Sequence, residues 1–128
     1  MVFELAKILV IEDNENLRYL FQGFLTDAGH DVIIAENGAM GLKILQTEPL
    51  PDIILLDLIM PDMDGCTVAK LIYSNDRFSN IPIMVISGAT DEKAVHKVLY
   101  DSYISKPFDL DEVLSEIDRL TNPRLVNS

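Results

Sequence analysis

Five polar positions carry the chemistry of this sequence: the acidic pair Glu12-Asp13, then Asp57, Ser87 and Lys106. Each stands at the end of a short apolar run. Ile8–Ile11 precedes Glu12-Asp13, Ile53–Leu56 precedes Asp57, Ile81–Ile86 precedes Ser87, and the weaker Tyr103–Ser105 precedes Lys106-Pro107. Three carboxylates brought together repel, and one takes up a proton unless cations neutralise them. Lys106 offers one cation. A divalent ion with oxygen ligands and retained water, the preference of Mg²⁺, offers another. With the Ser87 hydroxyl added, the set matches the needs of phosphoryl transfer: an acid nucleophile, a metal, a fixed ammonium and a donor for phosphoryl oxygens.

These side chains converge only if the runs that carry them lie side by side. The runs, with Val32–Ala35 as a fifth, are near-continuous and rich in Ile and Val, the pattern of strands buried on both faces. Segments of helical period separate them. The first places Leu17, Leu20, Phe21, Phe24, Leu25 and Ala28 on one stripe, with Asn14 as N-cap and Gly29 as the stop. Asn37 caps a second, which carries Ala39, Leu42 and Leu45; a third, Thr67–Tyr73, buries Val68, Leu71 and Ile72. A short fourth, Asp91–Leu99, offers Ala94, Val95, Val98 and Leu99. The last opens with Asp109 and Glu112 at capping-box spacing and presents Leu110, Val113, Leu114, Ile117 and Leu120. The order is (βα)₅, which predicts an α/β fold with a doubly wound parallel sheet and helices on both faces. In such sheets the groups at the carboxyl ends of the strands share one edge, where ligands bind.

Composition narrows the function further. The chain has 128 residues, 48% hydrophobic and 24% charged, as expected for one globular domain. We read 1–121 as that domain and 122–128 as a short polar tail. A net charge of −11 opposes direct nucleic-acid binding. No run is long enough to span a bilayer, and the start lacks a basic leader, so neither membrane insertion nor secretion is expected. The single cysteine, Cys66, fits a reducing cytoplasm.

The segments VIEDNENLR, DLIMPDMDG, VISGA and YISKPF, in that order, resemble a two-component response-regulator receiver domain over nearly the whole chain. The resemblance, to the chemotaxis-regulator type, implies a flavodoxin-like five-stranded sheet of order 2-1-3-4-5. It implies that Asp57 accepts a phosphoryl group from the phosphohistidine of a histidine kinase or a histidine phosphotransfer protein. Asp13 would bind Mg²⁺ directly, Glu12 through water, and Ile59 through its backbone carbonyl, with Asp57 completing the protein ligands. Lys106 would pair with Asp57 and then with the phosphoryl group, Ser87 would hydrogen-bond that group, and Tyr103 would turn inward as a switch. The Lys106–Pro107 bond would be cis. A downstream protein would read the face of the fourth helix, fifth strand and fifth helix. The chain would be a phosphorelay receiver and not an enzyme acting on a separate substrate.

Two departures stand against the family pattern. Ile59 is apolar where many members are polar. The stretch between Ser87 and Lys106 is short, and Val98-Leu99-Tyr100-Asp101 replaces the usual Gly-Ala, so a short or irregular fourth helix and an altered output surface are expected. Plainer readings exist for single residues: Glu12 and Asp13 as helix-capping acids, Ser87-Gly88 as a turn, Pro61 and Gly65 as loop formers, His30 and His96 as surface residues, Cys66 as packing, and Tyr103 as a half-buried strand aromatic. Two other functions compete. A phosphatase-like aspartyl-phosphate hydrolase requires Asp-x-Asp after the first strand, where Glu12-Asp13-Asn14-Glu15 stands, and a cap domain. A flavodoxin-like FMN module requires a Gly/Ser/Thr-rich phosphate loop there, and these acids would repel its phosphate. A natural single-domain regulator is expected over a fragment of a longer protein.

Overall fold

The computed structural model describes residues 5–58, 60, 64–88 and 100–122. Five strands, β1 Lys7–Ile11, β2 Asp31–Ala35, β3 Ile53–Asp57, β4 Ile83–Gly88 and β5 Ser102–Lys106, form one parallel sheet of order β2-β1-β3-β4-β5. The described helices are α1 Glu15–Asp27, α2 Gly38–Thr47, α3 Gly65–Tyr73 and α4 Leu110–Thr121. The helix expected over 91–99 lies outside the described residues, as do Ile59, Pro61, His96 and 123–128. No described helix is long and apolar enough to cross a membrane.

Side chains alternate along each strand, so every apolar run feeds two cores. Ile8, Val10, Ile53, Leu55, Met84 and Ile86 pack with Phe21 and Leu25 of α1 and Val113 and Ile117 of α4. Leu9, Ile11, Ile54, Leu56, Ile83 and Val85 pack on the other face with Leu45 of α2 and Val68, Ala69 and Ile72 of α3. Each fully buried Ile, Leu, Val, Met or Phe among them contributes about 1.5–3 kcal/mol. Asn14 Oδ1 accepts from the Leu17 N–H at 3.0 Å, Asn37 Oδ1 from Met40 at 2.8 Å and Asp64 Oδ1 from Thr67 at 2.8 Å, which satisfies donors that the first turns leave open. Gly29, at φ 97°, ends α1 in the left-handed region that favours glycine. The Lys106–Pro107 peptide is cis.

Several expectations need correction. Only β1, β3 and β4 are central; β2 and β5 are edge strands with one neighbour each, so Val32, Ile33 and Ile34 are half-buried. Leu20, Ala39 and Leu71 are exposed, because each helix packs a narrower stripe than its apolar residues suggest, and in α2 Ile44 joins the core. Asp109 caps α4 through the Asp111 N–H at 2.8 Å, two residues on. His30 is buried, not superficial. Its Nδ1 accepts from the Ala6 N–H at 3.1 Å, pinning the α1–β2 turn to the entry of β1, and burial lowers its pKa.

Asp101, in the segment that lacks the usual Gly-Ala, ties three elements together. Its N–H donates to the Ile83 carbonyl at 2.9 Å, while its Oδ2 accepts from the Ile83 N–H at 2.8 Å and the Tyr73 hydroxyl at 3.1 Å. The entry of β4, the end of α3 and the approach to β5 therefore share one carboxylate. Burial, and then the Asp101 charge, push the Tyr73 hydroxyl pKa up, so it stays a donor. Asp101→Ala is expected to lower the unfolding free energy by about 1–3 kcal/mol, against about 0.5–1.5 kcal/mol for Tyr73→Phe. Urea unfolding measures both, and an Asp101→Ala curve that overlays wild type would refute the clip.

Candidate functional site

Strand register sets the site. Ile11 pairs with Leu56, Asp57 with Ile86, Ser87 with Ser105 and Gly88 with Lys106, so all these strands end at one edge of the sheet. Glu12 and Asp13 follow β1 directly, Asp57 closes β3, and Lys106 closes β5. One carboxylate oxygen each from Glu12, Asp13 and Asp57 lies within 4.8 Å of the others. Lys106 Nζ stands 3.5 Å from Glu12 Oε1 and 3.8 Å from Asp57 Oδ2. An open hollow of about 320 Å³ is lined by Glu12, Asp13, Asn14, Leu17, Asp57, Gly88 and Lys106. A larger hollow of about 450 Å³ along α1, lined by Glu15, Arg18, Tyr19, Gln22, Gly23 and Ile34, offers no such convergence.

Electrostatics distinguish the acids. Glu12 is 2% exposed and Asp57 6%, while Asp13 is half-buried. Burial first, then the neighbouring Asp57 charge, raise the Glu12 carboxyl from its ordinary 4.5 to about 8; the Asn14 N–H on Oε2 at 3.1 Å and Lys106 oppose that rise. Without a bound cation, the Glu12–Asp57 pair therefore resists losing both protons. One ammonium does not balance three acids, and an all-oxygen donor set suits a hard divalent cation. The chemistry of the donors therefore fits a metal ion.

The remaining expected residues are placed as follows. Ser87 is fully buried at the end of β4 and stands outside the lining of the hollow, where Gly88 takes part instead. Tyr103 is half-buried in β5, packed on the α2–α3 side, with its ring 6.1 Å from that of exposed Tyr100. Ile59 falls outside the described residues. Gly65, read as a loop former, opens α3: its N–H donates to the Leu58 carbonyl at 2.8 Å, and a Cβ there would lie 2.4 Å from the Asp57 carbonyl oxygen. Arg18 is not among the residues that the sequence picks out; its guanidinium reaches the Glu12 and Asp13 carbonyls, and a basic residue five and six positions after that acidic pair is the only signal for it in the sequence.

Residues 8–118 match the family model of the response regulator receiver domain. Over 122 residues the chain is 33% identical to the sensor histidine kinase TmoS of Ectopseudomonas mendocina, a match covering 93% of this chain and 12% of the kinase. It is 36% identical over 117 residues to the virulence transcriptional regulatory protein PhoP of Shigella flexneri, covering 89% of this chain and 51% of the regulator. The chain thus spans about half or less of the length of these relatives. Its fold superposes with a TM-score of 0.85 on the receiver domain of sensor histidine kinase PA1611 from Pseudomonas aeruginosa PAO1, at 21% identity, with coverage of 92% of this chain and 98% of that one. That structure has a magnesium ion coordinated in its active-site cleft.

The raised Glu12 carboxyl makes the stability of the metal-free protein pH-dependent. A group with a folded-state pKa above its unfolded value contributes fully below the unfolded value and loses that contribution as pH rises through the folded one. Metal-free wild type is expected to lose stability between pH 4.5 and about 8. Glu12→Gln, which keeps an oxygen for the Asn14 N–H, should flatten that slope and raise Tm at pH 8. Thermal melts in EDTA across this range decide it; parallel slopes for the two proteins would refute the buried acid pair.

Proposed function

The chain belongs to the response regulator receiver domain family, and from that premise we propose that Asp57 is its phospho-acceptor. The observation that carries this reading is the Asp57 carboxylate itself, buried at the end of β3 within 4.8 Å of two further acids and 3.8 Å from Lys106 Nζ. Asp57 attacks the phosphorus of a phosphohistidine on a histidine kinase or histidine phosphotransfer protein. The P–N bond breaks, an acyl phosphate forms, and the departing imidazole keeps the electron pair and takes up a proton. Glu12, Asp13 and Asp57 are the side chains that would hold Mg²⁺, joined by the Ile59 carbonyl. The ion, when bound, neutralises charge on the phosphoryl oxygens. The magnesium in the PA1611 receiver supports this choice of metal.

Lys106 is the group able to follow negative charge from the Asp57 carboxylate to the phosphoryl oxygens. That difference in contact between two states is what biases a switch. Ser87 and Tyr103, on neighbouring strands, are the proposed switch pair. The chain acts as a receiver, catalysing only its own phosphorylation and dephosphorylation. Its output goes to a downstream protein through a face that includes β5 and α4, residues 1–121 form the receiver unit, and a cytoplasmic setting suits the single cysteine. The hydrolase and FMN readings find no support in a chain of this family with acids lining its hollow.

Acetyl phosphate with Mg²⁺ should add one acid-labile phosphoryl group, seen by intact-mass spectrometry. EDTA or Asp57→Ala should abolish it, and undiminished labelling under either condition would sink the reading. Lys106→Ala should retain partial labelling yet lose the spectral change that accompanies it. A phosphorylated Lys106→Ala protein with wild-type tyrosine fluorescence shifts would remove Lys106 from the coupling.

A further inference from the structure

In the second turn of α1, Arg18 folds back on the loop that precedes the helix. Its Nη1 donates to the Glu12 carbonyl at 3.1 Å and to the Asp13 carbonyl at 2.7 Å. Those carbonyls belong to the two rigid peptide planes that flank the Asp13 Cα. Holding both planes fixes both backbone dihedrals of Asp13, and with them the direction of its Cα–Cβ bond. Glu12 has other restraints, since its carboxyl accepts from the Asn14 N–H and meets Lys106. Among the described residues no hydrogen bond or ion pair holds the Asp13 carboxylate, so its aim depends on the backbone.

We propose that Arg18 is a positioning residue for the divalent-ion site, a clamp on two successive carbonyls that presents Asp13 to the cation. The inference rests on the reading of Glu12, Asp13 and Asp57 as the ion's ligands. One planar NH₂ group, its two hydrogens diverging at a fixed angle, serves both carbonyls. Lysine brings the same charge on a shorter stem without that planar fork. Groups that orient a metal ligand typically alter affinity by about ten- to a hundredfold when removed. Arg18 also borders the open hollow along α1, so water can reach the two carbonyls once the guanidinium is gone, and Arg18→Met keeps the aliphatic stem that packs there.

The test is a double-mutant cycle on Mg²⁺ affinity, followed by amide NMR shifts, with urea unfolding in EDTA run alongside. Arg18→Met should weaken Mg²⁺ binding by about tenfold or more. In the Asp13→Ala background the same change should cost nothing further, because the side chain it aims is gone. Arg18→Lys should recover only part of the loss. Losses that add independently, or full recovery with lysine, would overturn the clamp and leave at most a charge effect. If Arg18→Met does not fold, the cycle is run with Arg18→Lys, where wild-type affinity is the overturning result. Wild type that binds Mg²⁺ but takes no phosphoryl group at Asp57 strikes the phospho-acceptor reading alone; wild type that binds no Mg²⁺ overturns both.

Discussion

Glu12 and Asp57 are two carboxyl groups with almost no solvent contact, placed beside one another where β1 and β3 end. Water cannot screen them there, so their repulsion is settled inside the site: one of them holds a proton, or cations share the space. Lys106 meets both, yet a single ammonium against these two and Asp13 leaves the cluster negative. A site built this way is incomplete by design. It resists full ionisation when alone, and its three carboxylates lie close enough together to hold a divalent cation.

The hydrophobic register of the sheet holds that frustrated cluster in place. A slip of one residue along β1 or β3 would exchange Ile8 and Val10 with Leu9 and Ile11, or Ile53 and Leu55 with Ile54 and Leu56, between two packed cores. Because both faces are filled, neither strand can move to relieve the acids. The cost of crowding charge at the edge is thus borne by dozens of dispersion contacts beneath it.

How much of this was legible depended on whether a feature was local or shared. The apolar runs of β1, β3 and β4, the Asn14 and Asn37 caps and the Gly29 stop follow from residue type at fixed offsets, and the site acids follow from strands that end together. Strand order came through the family resemblance, because periodicity does not say which runs are neighbours. For that reason the apolar run of β2 predicts burial on both faces, although β2 is a half-exposed edge strand. His30 was missed because its partner, the Ala6 N–H, is a backbone group 24 residues away. Arg18 was missed because its partners are carbonyls, which carry no letter in a sequence. Asp101 marked a departure from the family pattern, but its role as a clip on Tyr73 and Ile83 needed three elements in place at once.

Helix α3 is set against fixed points at both ends. Gly65 abuts the Asp57 and Leu58 backbone so closely that no side chain fits between, and its N–H is bonded to Leu58. Eight residues on, Tyr73 is bonded to Asp101, which in turn holds the entry of β4. A rod about 14 Å long with both feet planted behaves as a strut. Its two anchors join the Asp57 backbone at the carboxyl edge of the sheet to the entries of β4 and β5 at the opposite edge, on the pair of strands farthest from β2.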